Sequence, residues 1–166
     1  MRRTGGAGTR VAVTGHRALE HPREVRDRLR AELRRLPRPL VGISALAAGA
    51  DVLFARAVLE AGGRLEVVLA SRDFAKSLPR SARGELRRLL TRARRVDVVG
   101  GGHPGAAAYS AAGTAMLARA DLLIAVWDGG PSRGLGGTAD LVAMARERGI
   151  RVRVIRGERA RSTAEG

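Results

Sequence analysis

The feature that most constrains this chain is an alternation. Six short apolar runs rich in valine, leucine and isoleucine, at 10–14, 39–43, 65–70, 95–100, 121–126 and 151–155, are separated by segments with helical character. The first such segment has Pro22 near its start, where proline is tolerated, and repeats Val25, Leu29, Leu33 and Leu36 at intervals of three and four. Further helices are expected at about 48–61, closed by Gly62-Gly63, and at about 81–94, with Leu86, Leu89 and Leu90 inward. A fourth, at about 106–119, is built almost wholly of small residues, and a fifth at about 138–148 is closed by Gly149. The apolar runs have the character of parallel strands covered on both faces. The pattern predicts an α/β fold: a doubly wound, mainly parallel sheet of about six strands, helices on both faces, right-handed crossovers. Such sheets bind ligands beyond the carboxyl ends of their strands, where the strand order switches.

With 166 residues, one domain over 10–156 is expected, flanked by a flexible basic segment at 1–9 and a flexible tail at 157–166. Neither end carries a periodic apolar face. Phe54, Phe74, Tyr109 and Trp127 are the only aromatics, so the core must be aliphatic, and an aromatic outside it is a candidate ligand platform. The absence of cysteine excludes disulfides and thiolate metal sites. His16, His21 and His103 are too dispersed for a zinc pattern, and no metal or resident cofactor is expected. No apolar run approaches the roughly 18 residues of a membrane span, and no signal-peptide core follows the basic start. The expectation is a cytoplasmic protein with no membrane partner.

A net charge of +15 invites a nucleic-acid reading. Yet Lys76 is the lone lysine among 31 basic residues, and much of the arginine falls on outer helix faces such as "REVRDRLRAELRRL" and "GELRRLLTRARR". Solvated helix faces account for most of that charge, which makes nucleic acid a possible partner but not the favoured one.

The chemistry sits in the residues that follow the strands. After the first comes Thr14-Gly15-His16-Arg17, after the second Ser44 to Asp51, after the fifth "WDGGPSRGLGGTADL" from Trp127. In the last stretch Gly134, Gly136 and Gly137 allow positive φ and open backbone N–H groups to a ligand. Thr138 either caps the next helix or donates its hydroxyl to an anion, and the helix N-terminus favours phosphate. Arg17 suits phosphate and His16 a base or ribose, unless both simply line a solvated turn. Ser44 is either a helix cap or part of the same anion site. Asp51 either serves the helix dipole or accepts a ribose hydroxyl. Trp127 and Tyr109 are stacking surfaces or core residues. Asp128 is a ribose acceptor or an acid–base group, with Asp140 the weaker catalytic candidate.

Taken in order, "VTGHR", "GISALAAGAD", "DLLIAVWDG" and "GGTADLV" resemble the SLOG superfamily, the group joining the DNA-processing Smf/DprA proteins with the Lonely Guy phosphoribohydrolases, and most closely its YpsA-type branch. The resemblance covers about residues 10–156. It implies a Rossmann-like fold with a nucleotide-type ligand at the strand ends and phosphate on the Gly-Gly-Thr loop. Relatives often form dimers, and the small-residue fourth helix would suit either a partner subunit or the sheet. The Lonely Guy pattern PGGxGTxxE is altered here: Arg133 replaces its proline, Leu135 its second glycine and Leu141 its glutamate. Asp140 lies one residue early, rotated by about 100° on a helix of roughly 3.6 residues per turn. Three functions stand at this point. The leading one is binding of a nucleotide or nucleotide-derived metabolite, as a sensor. The others are N-glycosidic hydrolysis of a nucleoside 5′-monophosphate, and single-stranded nucleic-acid binding.

Overall fold

A computed structural model describes residues 8–161; of the segments expected to be flexible, 1–9 and 157–166, the parts 1–7 and 162–166 lie outside them. Six strands form one sheet: β1 (Thr9–Gly15), β2 (Leu40–Ser44), β3 (Arg64–Leu69), β4 (Arg95–Val98), β5 (Leu122–Trp127) and β6 (Arg151–Arg156). Five helices connect them: α1 (Pro22–Arg34), α2 (Ala50–Glu60), α3 (Arg80–Arg92), α4 (Ala106–Leu117) and α5 (Thr138–Glu147). The strand order is β4-β3-β2-β1-β5-β6, and every pairing is parallel. The expected doubly wound sheet is therefore present, with each element within a few residues of its sequence-derived span.

Burial explains the composition of the strands. β2 is buried throughout, and Val11, Ala12 and Val13 of β1 are inaccessible. The two edge strands, β4 and β6, instead alternate valine with Arg95, Asp97, Arg151 and Arg153, which discourages further strand addition. On one face, α1 and α2 bury Val25, Leu29, Leu33, Phe54 and Val58 against Val11, Val13, Leu122 and Ile124. Leu86 and Leu89 of α3 extend that layer over Leu65, Val67 and Leu69. Leu90, expected inward with them, is only partly buried. On the other face, α4 and α5 cover Ala12, Ile43, Val68, Leu123 and Ala125. The small residues of α4 serve this intramolecular packing: a Cβ on Gly113 would lie 2.8 Å from the Leu141 side chain.

Two features were invisible in the sequence. A short 3₁₀ turn at Phe74–Ser77 buries Phe74 beneath α3. The second corrects the expectation for the tail: residues 157–161 are held against the body. Gly157 N–H donates to the Trp127 carbonyl, Glu20 N–H to Glu158 and Ala160 N–H to Ala18, with an antiparallel bridge between Leu19 and Arg159. We call this segment the strap.

Candidate functional site

β1 lies between β2 and β5, so the chain winds outward in one direction through β4 and then restarts on the other side of β1. The switch point is thus the gap between the ends of β1 and β5, where Gly15 pairs with Val126. A cleft of about 820 Å³ opens there. Its floor is Gly15 at the end of β1, His16 and Arg17 directly after it, and Asp128 directly after β5. One wall is the 133–138 loop with Tyr109 of α4, and the other is the strap, through Arg159, Ala160 and Arg161.

The 133–138 loop is shaped by its glycines. Gly136 has φ +80°, and a Cβ there would stand 2.8 Å from the Ser110 backbone nitrogen, so the loop can press against α4 only as glycine. Gly134 also takes positive φ, but Gly137 does not. Glycine at 137 answers to crowding instead, since a Cβ would meet Ser132 Oγ at 2.7 Å. Gly137 is the N-cap of α5, which places Thr138 inside the helix rather than at the expected capping position. The capping bond comes from Ser132, whose Oγ accepts the Asp140 N–H at 3.2 Å, while Asp140 Oδ2 accepts the Gly136 N–H at 3.1 Å. These two bonds close the loop and leave the N–H groups of Thr138 and Ala139 without a partner among the described residues. Thr138 Oγ1 meets Thr14 Oγ1 at 3.5 Å across the β1–α5 gap.

His16 is the pivot of the floor. Its ring is buried, with Nε2 3.3 Å from Asp128 Oδ1 and Nδ1 3.3 Å from Arg159 Nη2. Two donors face the ring, the Arg159 guanidinium at Nδ1 and the Asp128 backbone N–H at Nε2, 3.3 Å away, while Asp128 Oδ1 is the acceptor beside Nε2. Burial holds the His16 pKa below its usual value; Asp128 opposes this, and Arg159 and Arg133 reinforce it. Asp128 Oδ1 also receives the Gly130 N–H at 2.8 Å. That bond, with His16 beside it, keeps the carboxyl below the usual carboxylate range despite some desolvation. Asp128 is therefore a fixed anion, with Oδ2 free of partners among the described residues. The Arg17 guanidinium lies 4.4 Å from the centroid of the Tyr109 ring. Stacking in this way leaves its in-plane N–H groups available to an anion.

Four sequence candidates take other roles. Ser44 is fully buried: its hydroxyl donates to the Asp51 carbonyl and accepts the Leu46 N–H, both at 3.1 Å. It neither caps α2, whose N-cap is Gly49, nor reaches the cleft. Asp51 is buried as well and accepts the Ala47 N–H at 3.2 Å, and its burial pushes its pKa up to about 7. The indole of Trp127 packs on the α4–α5 side of the core and donates to the Gly130 carbonyl at 2.8 Å. This bond spends the indole on the loop. Asp140 is exposed, but its carboxylate holds Gly136 rather than facing a reacting group. Conversely, sequence reasoning missed Ser132, Arg133 and Leu135 as parts of the site, along with both strap arginines. Leu135 is 62% exposed at the cleft wall.

Fold and site define a doubly wound α/β protein with a basic cleft at its β1/β5 switch point. No protein-family model matches the sequence, and no curated protein matches it. Solved structures do. The chain superimposes on DNA processing protein A (DprA) from Streptococcus pneumoniae with a TM-score of 0.67 at 22% identity, over 90% of this chain and 51% of that one. The single-stranded-DNA-binding DprA from Helicobacter pylori gives 0.66 at 17% identity, over 95% and 67%. The molybdenum cofactor binding protein from Rippkaea orientalis gives 0.59 at 16%, over 93% and 80%. The chain thus spans about half the length of the Streptococcus protein. The likeness is one of fold, and the fold is the one the SLOG resemblance implied. Among the described residues no helix is long and apolar enough to cross a membrane.

Proposed function

We propose that this chain binds a nucleotide or nucleotide-derived metabolite in the β1/β5 cleft, with phosphate at the start of α5. The observation that carries the reading is the pair of unpartnered amides at Thr138 and Ala139 in the first turn of α5, where Thr138 lines the cleft together with Arg17 and Arg133. A phosphate there would gain charge-assisted hydrogen bonds and the favourable end of the helix dipole. Asp128 Oδ2 suits a ribose hydroxyl. Leu135 and the edge of Tyr109 supply the apolar contact for a base. The YpsA-type assignment, the sensor role and any dimer belong to this proposal.

Hydrolysis of the N-glycosidic bond is the less supported reading. A carboxylate held below its usual pKa is a weak proton acceptor at neutral pH. The one aspartate with a pKa near 7, Asp51, lies buried behind the floor, outside the cleft lining. Single-stranded DNA binding draws on the Helicobacter neighbour and on the basic cleft.

The test is incubation of the whole chain with a panel of nucleoside mono-, di- and triphosphates. Thermal shift reads binding, and chromatography of the same samples reads free base. Stabilisation with every ligand intact is expected. Free base from a monophosphate, lost in Asp128→Asn, would make the protein a hydrolase. No stabilisation by any nucleotide, with salt-steep affinity for an oligonucleotide, would favour nucleic acid.

A further inference from the structure

The strap changes the charge of the cleft in a way the phosphate reading alone does not require. Arg17 and Arg133 line it alongside the floor and the 133–138 loop, and Arg159 and Arg161 line it from the strap. None of the four joins a salt bridge among the described residues, and Asp128 is the only acidic side chain in the lining. Carboxylates are close by but engaged elsewhere. Glu158 of the strap pairs with Arg156 at 3.2 Å, and Asp140 holds the loop. The strap is also fixed in place. Its backbone bonds to residues 18 and 20, Gly157 is buried with room for no Cβ beside Val126, and Arg159 rests on the His16 ring.

A single phosphate monoester carries a charge of about −2 at most at neutral pH. Seated on the α5 amides, with Arg17 and Arg133 beside it, it would leave the two strap guanidiniums facing an empty half of the cleft. Uncompensated cations gathered in a concave surface repel one another and draw a further anion.

We propose that the ligand carries two joined phosphates, a nucleoside diphosphate or a dinucleotide with a pyrophosphate bridge. The start of α5 takes one phosphate, and Arg159 and Arg161 of the strap take the other. The inference rests on the nucleotide reading above and adds the strap as the element that counts phosphates. At about 820 Å³ the cleft lies within the range usual for ligands of that size.

Calorimetric titration of the whole chain with inorganic phosphate, inorganic pyrophosphate, AMP and ADP tests it. Pyrophosphate and ADP are expected to bind at least tenfold more tightly than phosphate and AMP. In Arg159→Gln/Arg161→Gln that preference should shrink to within about twofold. Arg161→Gln alone, at an exposed position that cannot disturb the His16 contact, should reduce the preference by an intermediate factor. Equal affinity for AMP and ADP in the unaltered chain would overturn the inference and leave the nucleotide reading standing. Binding of none of the four would overturn both. A short oligothymidylate that displaces ADP at lower concentration than pyrophosphate does would overturn it in favour of a nucleic-acid strand.

Discussion

The β2–α2 and β5–α5 connections draw on the same residue types, serine, glycine, aspartate and small aliphatics, and meet opposite fates. The first turns inward. Ser44 and Asp51 spend their polar atoms on the loop's own backbone, and Leu46 is buried in the core at φ +54°. Gly49 brings the loop so near β1 that Ala50 N–H donates to the His16 carbonyl. The second connection turns outward. Ser132 and Asp140 close it on itself, and residues 133–138 line the cleft. One loop supports His16 from behind while the other lines the cleft. The difference comes from burial. Apolar neighbours such as Leu46 anchor the first loop, whereas the second has only the exposed Leu135 at its crest.

The comparison can be broken first at its glycines. Gly49→Ala puts a Cβ 2.4 Å from the His16 carbonyl oxygen at φ +78°, so a loss of about 3 kcal/mol is expected, read by urea unfolding. Gly134→Ala, at φ +121° but in open space, carries backbone strain without a clash, about 1–2 kcal/mol, and should act mainly on ligand affinity. Equal destabilisation by the two would show that both loops are structural.

Asp51 sharpens the contrast through pH. The folded state keeps a proton on Asp51 up to about pH 7, whereas the unfolded chain releases it near pH 4. Folded stability is therefore greatest below that lower value and falls as pH rises toward 7, by at most about 1.4 kcal/mol per pH unit. Asp51→Asn keeps an acceptor for the Ala47 N–H and removes the titration. Melting both proteins at pH 4.5, 6 and 8 should show the variant gaining on the wild type with pH and levelling off above 7. A constant gap would mean that Asp51 is charged in the fold.

Ser44→Ala should cost about 1–2 kcal/mol, because it leaves the Leu46 N–H buried without an acceptor. Nucleotide affinity should stay within twofold. Smallest in stability is Thr138→Ala, within about 0.5 kcal/mol on unfolding, yet it should weaken nucleotide binding several-fold in the thermal-shift panel. If Ser44→Ala weakened binding more than Thr138→Ala, the division of roles between the loops would be wrong.

The fold was legible because periodicity reports burial directly. Valine-rich runs and the Val25–Leu29–Leu33 spacing specify buried strands and one-sided helices without reference to partners. The site was legible only where function follows backbone geometry. Gly136 and the Thr14–Arg17 strand end follow from where such sheets bind. Polar side chains were harder to read, because Ser44, Asp51 and Trp127 have the same composition whether they face a ligand or their own loop. Ser132 caps a helix from six residues before its start, at no standard capping position. Arg159 and Arg161 sit in a segment with no periodicity, and only the contact of Arg159 with Leu19 and His16, some 140 residues earlier in the chain, gives the segment a place.

The strand order also sets when the site can come into being. Residues 11–15 of β1 must wait for residues 122–126 to arrive before their second edge is paired. Pairings from β1 through β4 join neighbours in sequence, but the one that builds the cleft closes a loop of more than a hundred residues, a slow step. During synthesis this central, buried strand therefore presents an open edge until the ribosome has reached residue 126. That interval exposes the chain to misassociation. Substitutions that slow β5 docking should reduce the yield of folded protein before they alter its final stability.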